Sequence, residues 1–471
     1  MKTKYFLLLI LLTSISPTYC LFAQNRILYF MDDIPARNML NPAFCPNSNW
    51  YLDFILLPDL HLEAGSNAFS LRNAIFNKEG KLITALHSPQ ETDRFYNRMR
   101  KINSFNTEIQ LNILSFGFSR GENYFTFNAG IKASGKEYLP RDLFKLALYG
   151  TPDKSDNNNF NLTKTGVEAS IYSELGFGYS RQIDNEWRVG GKFKYLMGYG
   201  AVHTRNRNMR LNASQKEWNM ESNVDIYGSV PADYQTQEEG HIDFDSFEGW
   251  STGEYAKMIF RPAGHGMAID LGVTWKPIEP LTISAALTDL GFIRWKKNLI
   301  QGGMHGSYKY TGIEHQKGDS INWKKFGDEI EKSFHFSSSE GIPFSQRLTT
   351  NLHIGGEYAI LNNQISFGAL SRTMIHSSFM SQEMTLATIF RPADWFKAIL
   401  SYSFLNGGGN TIGLGMKFAF GAVHTYFLTD YIPYHWAKLY DESGQSTTVP
   451  YNARRVNMQI GTVLTFGKRH D

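Results

Sequence analysis

Two glutamates, Glu168 and Glu174, and three cations, Arg188, Lys192 and Lys194, recur at alternate positions in two neighbouring stretches of the chain. In 167–179 the odd positions carry Val, Ala, Ile, Ser, Leu, Phe and Tyr, and both glutamates fall on the even ones. In 187–199 the odd positions carry Trp, Val, Gly, Phe, Tyr, Met and Tyr, and the three cations again fall on the even ones. Side chains alternate between faces along a strand, so all five charges are predicted to share one face of a hairpin. Carboxylates opposite cations on such a face could form a binding or selectivity ladder. They could equally be wall salt bridges that fill a polar interior, and the sequence leaves both open. The link between the stretches must hold an odd number of residues for the faces to match. A three-residue turn at Ile183-Asp184-Asn185 does this and predicts Glu174 opposite Lys194.

No other constellation points to catalysis. The histidines His203, His241, His265, His353, His376 and His424 lack metal-ligand spacing. The acidic run Glu238-Glu239 to Glu248 offers hard oxygens, which leaves calcium open, but it has neither the spacing nor the glycine of an EF-hand, and no metal site is expected. Gly407-Gly408-Gly409 has no following helix or lysine, and the serine-hydrolase, Walker and dinucleotide fingerprints are absent. The chain is therefore expected not to be an enzyme and to need no cofactor. With 47 Lys+Arg against 44 Asp+Glu it has no basic field for nucleic acid.

These charges need a scaffold of strands. The same alternation recurs from 51–57 through 456–466 and gives about fourteen strands. Their connections alternate in length. Short ones fall at 120–123, 183–185, 276–280, 361–363, 391–395 and near Gly421; between them come longer ones at 58–107, 135–166, 200–266, 289–347 and 430–455, with shorter members at 374–381 and 405–409. A soluble sandwich has no reason to sort its loops by side, whereas a membrane barrel has short periplasmic turns and long outer loops. Aromatics reach 14 %, with 41 glycines, and no apolar stretch is long enough for a spanning helix. The predicted fold is all-β: a closed antiparallel transmembrane β-barrel with an N-terminal plug-like segment and long extracellular loops.

Lys2, Lys4 and the apolar run 6–12 form a secretory signal with cleavage expected after Ala23. The expected organisation is signal peptide 1–23, plug-like segment 24–49 and barrel 50–471. After cleavage Cys45 is the only cysteine, so no intrachain disulfide is possible. Ser88-Pro89-Gln90-Glu91 is a capping box that predicts a helix over 89–100, and 322–336 has helical spacing. Residues 205–211 and 217–227 are expected to form a projecting hairpin. Gly190, Gly272 and Gly355 are expected to mark kinks or close contacts.

Two motifs carry a family resemblance. The closing stretch, with Gln459, Gly461, Leu464 and Phe466, resembles the signal by which the Gram-negative barrel-assembly machinery recognises a last strand. Asn41-Pro42-Ala43, just before the first strand, resembles the plug of the FadL-type hydrophobic-compound transporters, which are fourteen-stranded barrels. An ordinary turn before the first strand would also suit this triplet. The layout is similar as well to secretion-associated Bacteroidota barrels of the PorV and PorP/SprF kinds. Thr288-Asp289-Leu290-Gly291-Phe292-Ile293-Arg294-Trp295 and Asp430-Tyr431-Ile432-Pro433 resemble segments of Bacteroidota FadL-like barrels without an assigned function. The resemblance implies a Gram-negative outer-membrane protein with both termini periplasmic. Its implied partners are outer-membrane lipid and the barrel-assembly machinery, together with a small hydrophobic compound taken up passively. The alternative is a scaffold for a secretion or surface-assembly component.

Overall fold

The computed structural model describes residues 26–67, 75–78, 81–84, 88–150, 159–214, 217–229, 261–310, 339–376, 380–405, 409–432, 436–440, 446–450 and 455–468. The expected signal peptide, the acidic run 238–248 and the expected helix 322–336 lie outside the described residues.

Fourteen antiparallel strands close into a ring. They are β1 (Ser48–Ser66), β2 (Ile102–Arg120), β3 (Asn123–Pro140), β4 (Gly166–Gln182), β5 (Trp187–Ala213), β6 (Gly264–Ile278) and β7 (Leu281–Trp295). The second half is β8 (Thr350–Ile360), β9 (Ile365–Ile375), β10 (Met380–Ala393), β11 (Phe396–Leu405), β12 (Gly409–Phe420), β13 (Val423–Thr429) and β14 (Arg455–Lys468). Each pairs with its sequence neighbour, and β14 returns to β1 with Trp50 opposite Phe466. Closure leaves the ring without an edge, which a backbone in lipid requires. Six short turns, such as 121–122 and 279–280, fall on one rim; the long connections fall on the other, together with the brief β9–β10 and β11–β12 links, and the chain enters β1 and leaves β14 at the short-turn rim.

The alternation has its physical consequence in burial. Phe177, Leu271 and Leu400 point outward and are 56 %, 55 % and 56 % exposed, while Glu174, Lys192 and Lys194 point inward and are buried. An apolar belt around a polar interior reverses a soluble fold and fits lipid as the outer solvent. No described helix is long and apolar enough to cross a membrane. Aromatic pairs line the belt at the short-turn rim, with Trp50 stacked on Phe466 at 4.0 Å and Trp187 on Trp275 at 5.3 Å between ring centroids.

Three expectations are corrected. The β4–β5 turn starts one residue later than expected, because Asp184 Oδ1 accepts hydrogen bonds from the amides of Glu186 and Trp187 at 2.9 and 2.7 Å. Glu174 therefore lies opposite Leu196, and Lys194 lies opposite Gly176. This two-residue shift keeps every side chain on its expected face. The first strand, expected to end before Pro58, continues to Ser66, because Pro58 falls in an excursion where β1 pairs with neither neighbour and no amide donor is needed. The first helix, α1 (Pro89–Arg98), stops short of Arg100 because Met99 is extended. A second short helix, α2 (Arg141–Tyr149), was not foreseen. The expected hairpin forms where β5 runs past the rim and pairs with Trp218–Ser229, which pairs in turn with Leu299–Tyr310.

Candidate functional site: the sealed lumen

The segment before β1 folds back inside the ring as two short 3-10 turns, Leu28–Phe30 and Pro35–Met39. Ile27, Leu28, Tyr29, Phe30, Met31, Ile34 and Phe44 form an apolar core with the inward-facing Leu370, Ile389, Ile399, Tyr426 and Leu428. A barrel interior is ordinarily polar, so this apolar cluster marks the level at which the segment occupies the lumen. Arg37 lies 3.7 Å over the Phe44 ring and donates to the Tyr29 carbonyl at 2.6 Å, which locks the segment's two halves together.

The wall is shaped for this segment. A Cβ at Gly190 would overlap the Pro42 carbonyl, one at Gly272 would overlap the Asn41 side chain, and one at Gly355 would overlap the Tyr29 ring. Gly368 leaves room in the same way for Phe30, and Gly415 for Ile27. The three glycines singled out in the sequence thus mark close contacts. Asn41 is fully buried; its Nδ2 donates to the carbonyls of Val273 (3.3 Å) and Ala285 (3.4 Å), and its Oδ1 accepts from Ala43 N (2.9 Å). Val273 and Ala285 are directly opposite each other across the β6–β7 ladder, and proline next to Asn41 needs no amide partner.

Charge fixes the segment's ends. Asp430, just past β13, accepts from Arg26 N (3.3 Å), Arg26 Nε (3.2 Å), Ile27 N (3.2 Å) and Asn457 Nδ2 (2.9 Å). Burial works against the Arg26 charge, but the carboxylates of Asp430 and Glu383 outweigh it and raise the guanidinium above its ordinary value. Near the short-turn rim Asp33 pairs with Lys417 at 2.7 Å and Lys397 at 3.2 Å, and Asp32 pairs with Lys397 and with Arg391 at 3.3 Å.

The five lumen charges named from the sequence separate into three levels. Glu174, Lys192 and Lys194 meet mid-lumen with three residues that sequence reading missed, Lys132, Asp270 and Asp289. Lys194 Nζ lies 2.8 Å from Asp270, 2.7 Å from Asp289 and 3.7 Å from Glu174, and Lys132 lies 3.1 Å from Glu174. Lys192 donates to Asn38 Oδ1 (2.6 Å) and Asn128 Oδ1 (2.9 Å), tying the wall to the amino-terminal segment. Asp289 reaches the cluster through a bulge in which Thr288 and Asp289 oppose Asp270 alone; its φ is 59° and its amide donates to Asp270 Oδ1 at 2.7 Å. Arg188 sits apart at the short-turn rim, donating to Gln182 at 2.6 Å. Glu168 sits at the opposite rim, 3.0 Å from His376 and 3.7 Å from His203.

Above the segment a cavity of about 140 Å³ opens toward the long connections, with Met39 and Leu40 on its floor and Gln110, Lys136, Glu168 and Arg372 among its walls. Beside it β1 runs out of register with both its neighbours. Between the pairs Leu52–Leu464 and Leu60–Ile460, seven residues of β1 face three of β14, and the β1–β2 ladder is interrupted from Phe54 to Asp59. Asp53 and Asp59 flank the break from inside, held by Asn112 and Gln459, each at 2.6 Å. Gln459 is thus a wall tie. Gly461 makes room for the Tyr426 ring, and Leu464 and Phe466 lie on the outward face of β14. Among the described residues no cluster of His, Cys, Asp and Glu could hold a metal.

Several solved barrels are similar in layout. A TodX monoaromatic hydrocarbon channel mutant is 10 % identical, with a TM-score of 0.42 over 91 % of this chain and 94 % of that one. The Ralstonia pickettii toluene transporter TbuX is 11 % identical, with a TM-score of 0.41 over 95 % of this chain and 96 % of that one. A Pseudomonas aeruginosa FadL homologue is 9 % identical, with a TM-score of 0.37 over 92 % of this chain and 93 % of that one. No curated protein matches the sequence. A family model covers residues 42–430, from the Asn-Pro-Ala turn to the aspartate that holds Arg26, and the chain belongs to that family, described as a family of unknown function (DUF5723).

Proposed function

We propose that this chain is a Gram-negative outer-membrane barrel through which small hydrophobic compounds enter at the long-connection rim and leave sideways into the membrane. The observation that carries this reading is the break in β1 beside a sealed lumen. The apolar core around residues 27–44 blocks a straight path, while the break lies at Asp59–Asn112, two positions along the strands from Gln110, which lines the cavity. A side exit into lipid serves only a molecule that partitions into lipid, and this selects a hydrophobic cargo. In this reading Asn41, Pro42 and Ala43 are the hatch that closes the axial route, and Glu174, Lys192 and Lys194 hold the wall. Glu168 and Arg188 lie above and below the seal. Gln459, Gly461, Leu464 and Phe466 would be read by the barrel-assembly machinery, and the short-turn rim, with both termini, faces the periplasm. No observation favours the scaffold reading, since exposed apolar residues beyond the barrel strands, such as Tyr149, Ile342 and Trp436, sit on separate connections.

Uptake of a fluorescent long-chain acid into proteoliposomes tests the proposal. The native protein is expected to accelerate transfer over empty vesicles. A variant lacking residues 55–58, which removes an even number and so preserves the facing of β1, is expected to fold and to lose that acceleration. No acceleration by the native protein, or an undiminished rate in the deletion variant, would overturn the side exit. Co-purification of a secretion component from cells without any uptake would favour the scaffold.

A further inference from the structure

On the outer face of β6 and β7, at the long-connection rim, basic side chains gather without counter-charges among the described residues. His265 and Arg294 are directly opposite across the ladder and both exposed. Lys296 and Lys297 follow at the end of β7, their amides pinned to the Ala263 carbonyl at 3.0 and 3.1 Å, and Arg261 lies two residues before that carbonyl. All three are exposed. Among the described residues Arg261, Arg294, Lys296 and Lys297 have no carboxylate within ion-pair distance, and the residues flanking His265 and Arg294 on the adjoining strands are Met197 and Ser345. His265 is held by Tyr195, whose hydroxyl lies 2.7 Å from Nδ1.

The patch borders lipid. Two positions further along each strand, about 7 Å by the strand rise, stand Met267 and Phe292 on the same outward face. Ile269 and Leu290 come next, and all four are exposed by 41–53 %. Cations at headgroup depth above an apolar strip match the two ends of a phosphorylated lipid: guanidinium forks and ammonium groups for the phosphate oxygens, and the strip for acyl chains.

We propose that Arg261, His265, Arg294, Lys296 and Lys297 bind the phosphates of a membrane glycolipid whose chains lie along Met267, Ile269, Leu290 and Phe292. This rests on the reading of the chain as a membrane barrel with its long connections outward, but not on transport. The test is native mass spectrometry of the detergent-solubilised protein with bisphosphorylated lipid A, its dephosphorylated form and phosphatidylcholine. The native protein is expected to retain the bisphosphorylated lipid and release the others. The variant R294A/K296A/K297A, checked for heat-modifiable gel mobility, is expected to weaken retention about tenfold or more, because each cation near a lipid surface contributes appreciably. R294K is expected to keep most of the retention. Equal retention by native and triple variant, or of phosphorylated and dephosphorylated lipid, would overturn the proposal. Neither outcome depends on uptake, so failure of the side exit and failure of this site are read separately.

Discussion

At the scale of single residues, Lys194 has the heaviest electrostatic role. Its ammonium lies within 3 Å of both Asp270 and Asp289; Lys194 and Asp270 are shielded from solvent inside the ring, and Asp289 is partly exposed to the cavity. Removing one partner of a buried ion pair strands the others, at a cost of about 3–5 kcal/mol. Lys194→Ala is therefore expected to lower the unfolding free energy, measured by urea titration of reversible folding into lipid vesicles, by that order, whereas Arg188→Ala, whose bond is to the neutral Gln182, is expected to cost less. An equal response of the two variants would contradict the separation into levels. The sequence made half of this cluster legible. Alternation placed Glu174, Lys192 and Lys194 inward, but Asp270 and Asp289 both come from the next hairpin, β6–β7, and a bulge invisible to period-two counting turns Asp289 inward. Thr288-Asp289-Leu290-Gly291 carries the one local sign of it, since Gly291 permits the close approach of Ala268 that accompanies the bulge.

At the scale of elements, the amino-terminal segment and the wall are complementary. The glycines at 190, 272, 355 and 368 lie on four different strands, yet each leaves the space that one side chain or carbonyl of the segment fills. Gly272→Leu is expected to expel Asn41 while leaving the ring closed. The measurement is amide exchange: residues 27–44 should lose protection while β6 and β7 keep theirs, and unchanged protection of the segment would contradict the seating described here. The triplet Asn41-Pro42-Ala43 could be located from its residue types. Its partners could not, because a carbonyl of β6 and one of β7 are backbone groups that no side-chain pattern reports. The break in β1 was misread for a related reason: proline ends a strand when every amide must join a ladder, and here the ladder itself is interrupted at Pro58. The β4–β5 register slipped because a side chain, Asp184, rather than the turn length alone, chose where the turn begins.

At the scale of the whole molecule, period-two patterning and the sorting of connections defined the ring, because a two-faced environment leaves its mark on every strand. How the interior is occupied depended on contacts between distant segments and needed coordinates. The central claim is a closed ring with lipid outside and the chain's own start sealing the inside. Site-directed spin labelling in lipid vesicles, in a Cys45→Ser background, tests it most directly. Labels at Val189, Phe193 and Tyr195 should collide with oxygen dissolved in the bilayer and not with a water-soluble nickel chelate. Labels at Lys192, Leu28 and Phe30 should meet neither reagent. Loss of that alternation along β5, or free access of the nickel chelate to Leu28 and Phe30, would contradict the sealed barrel.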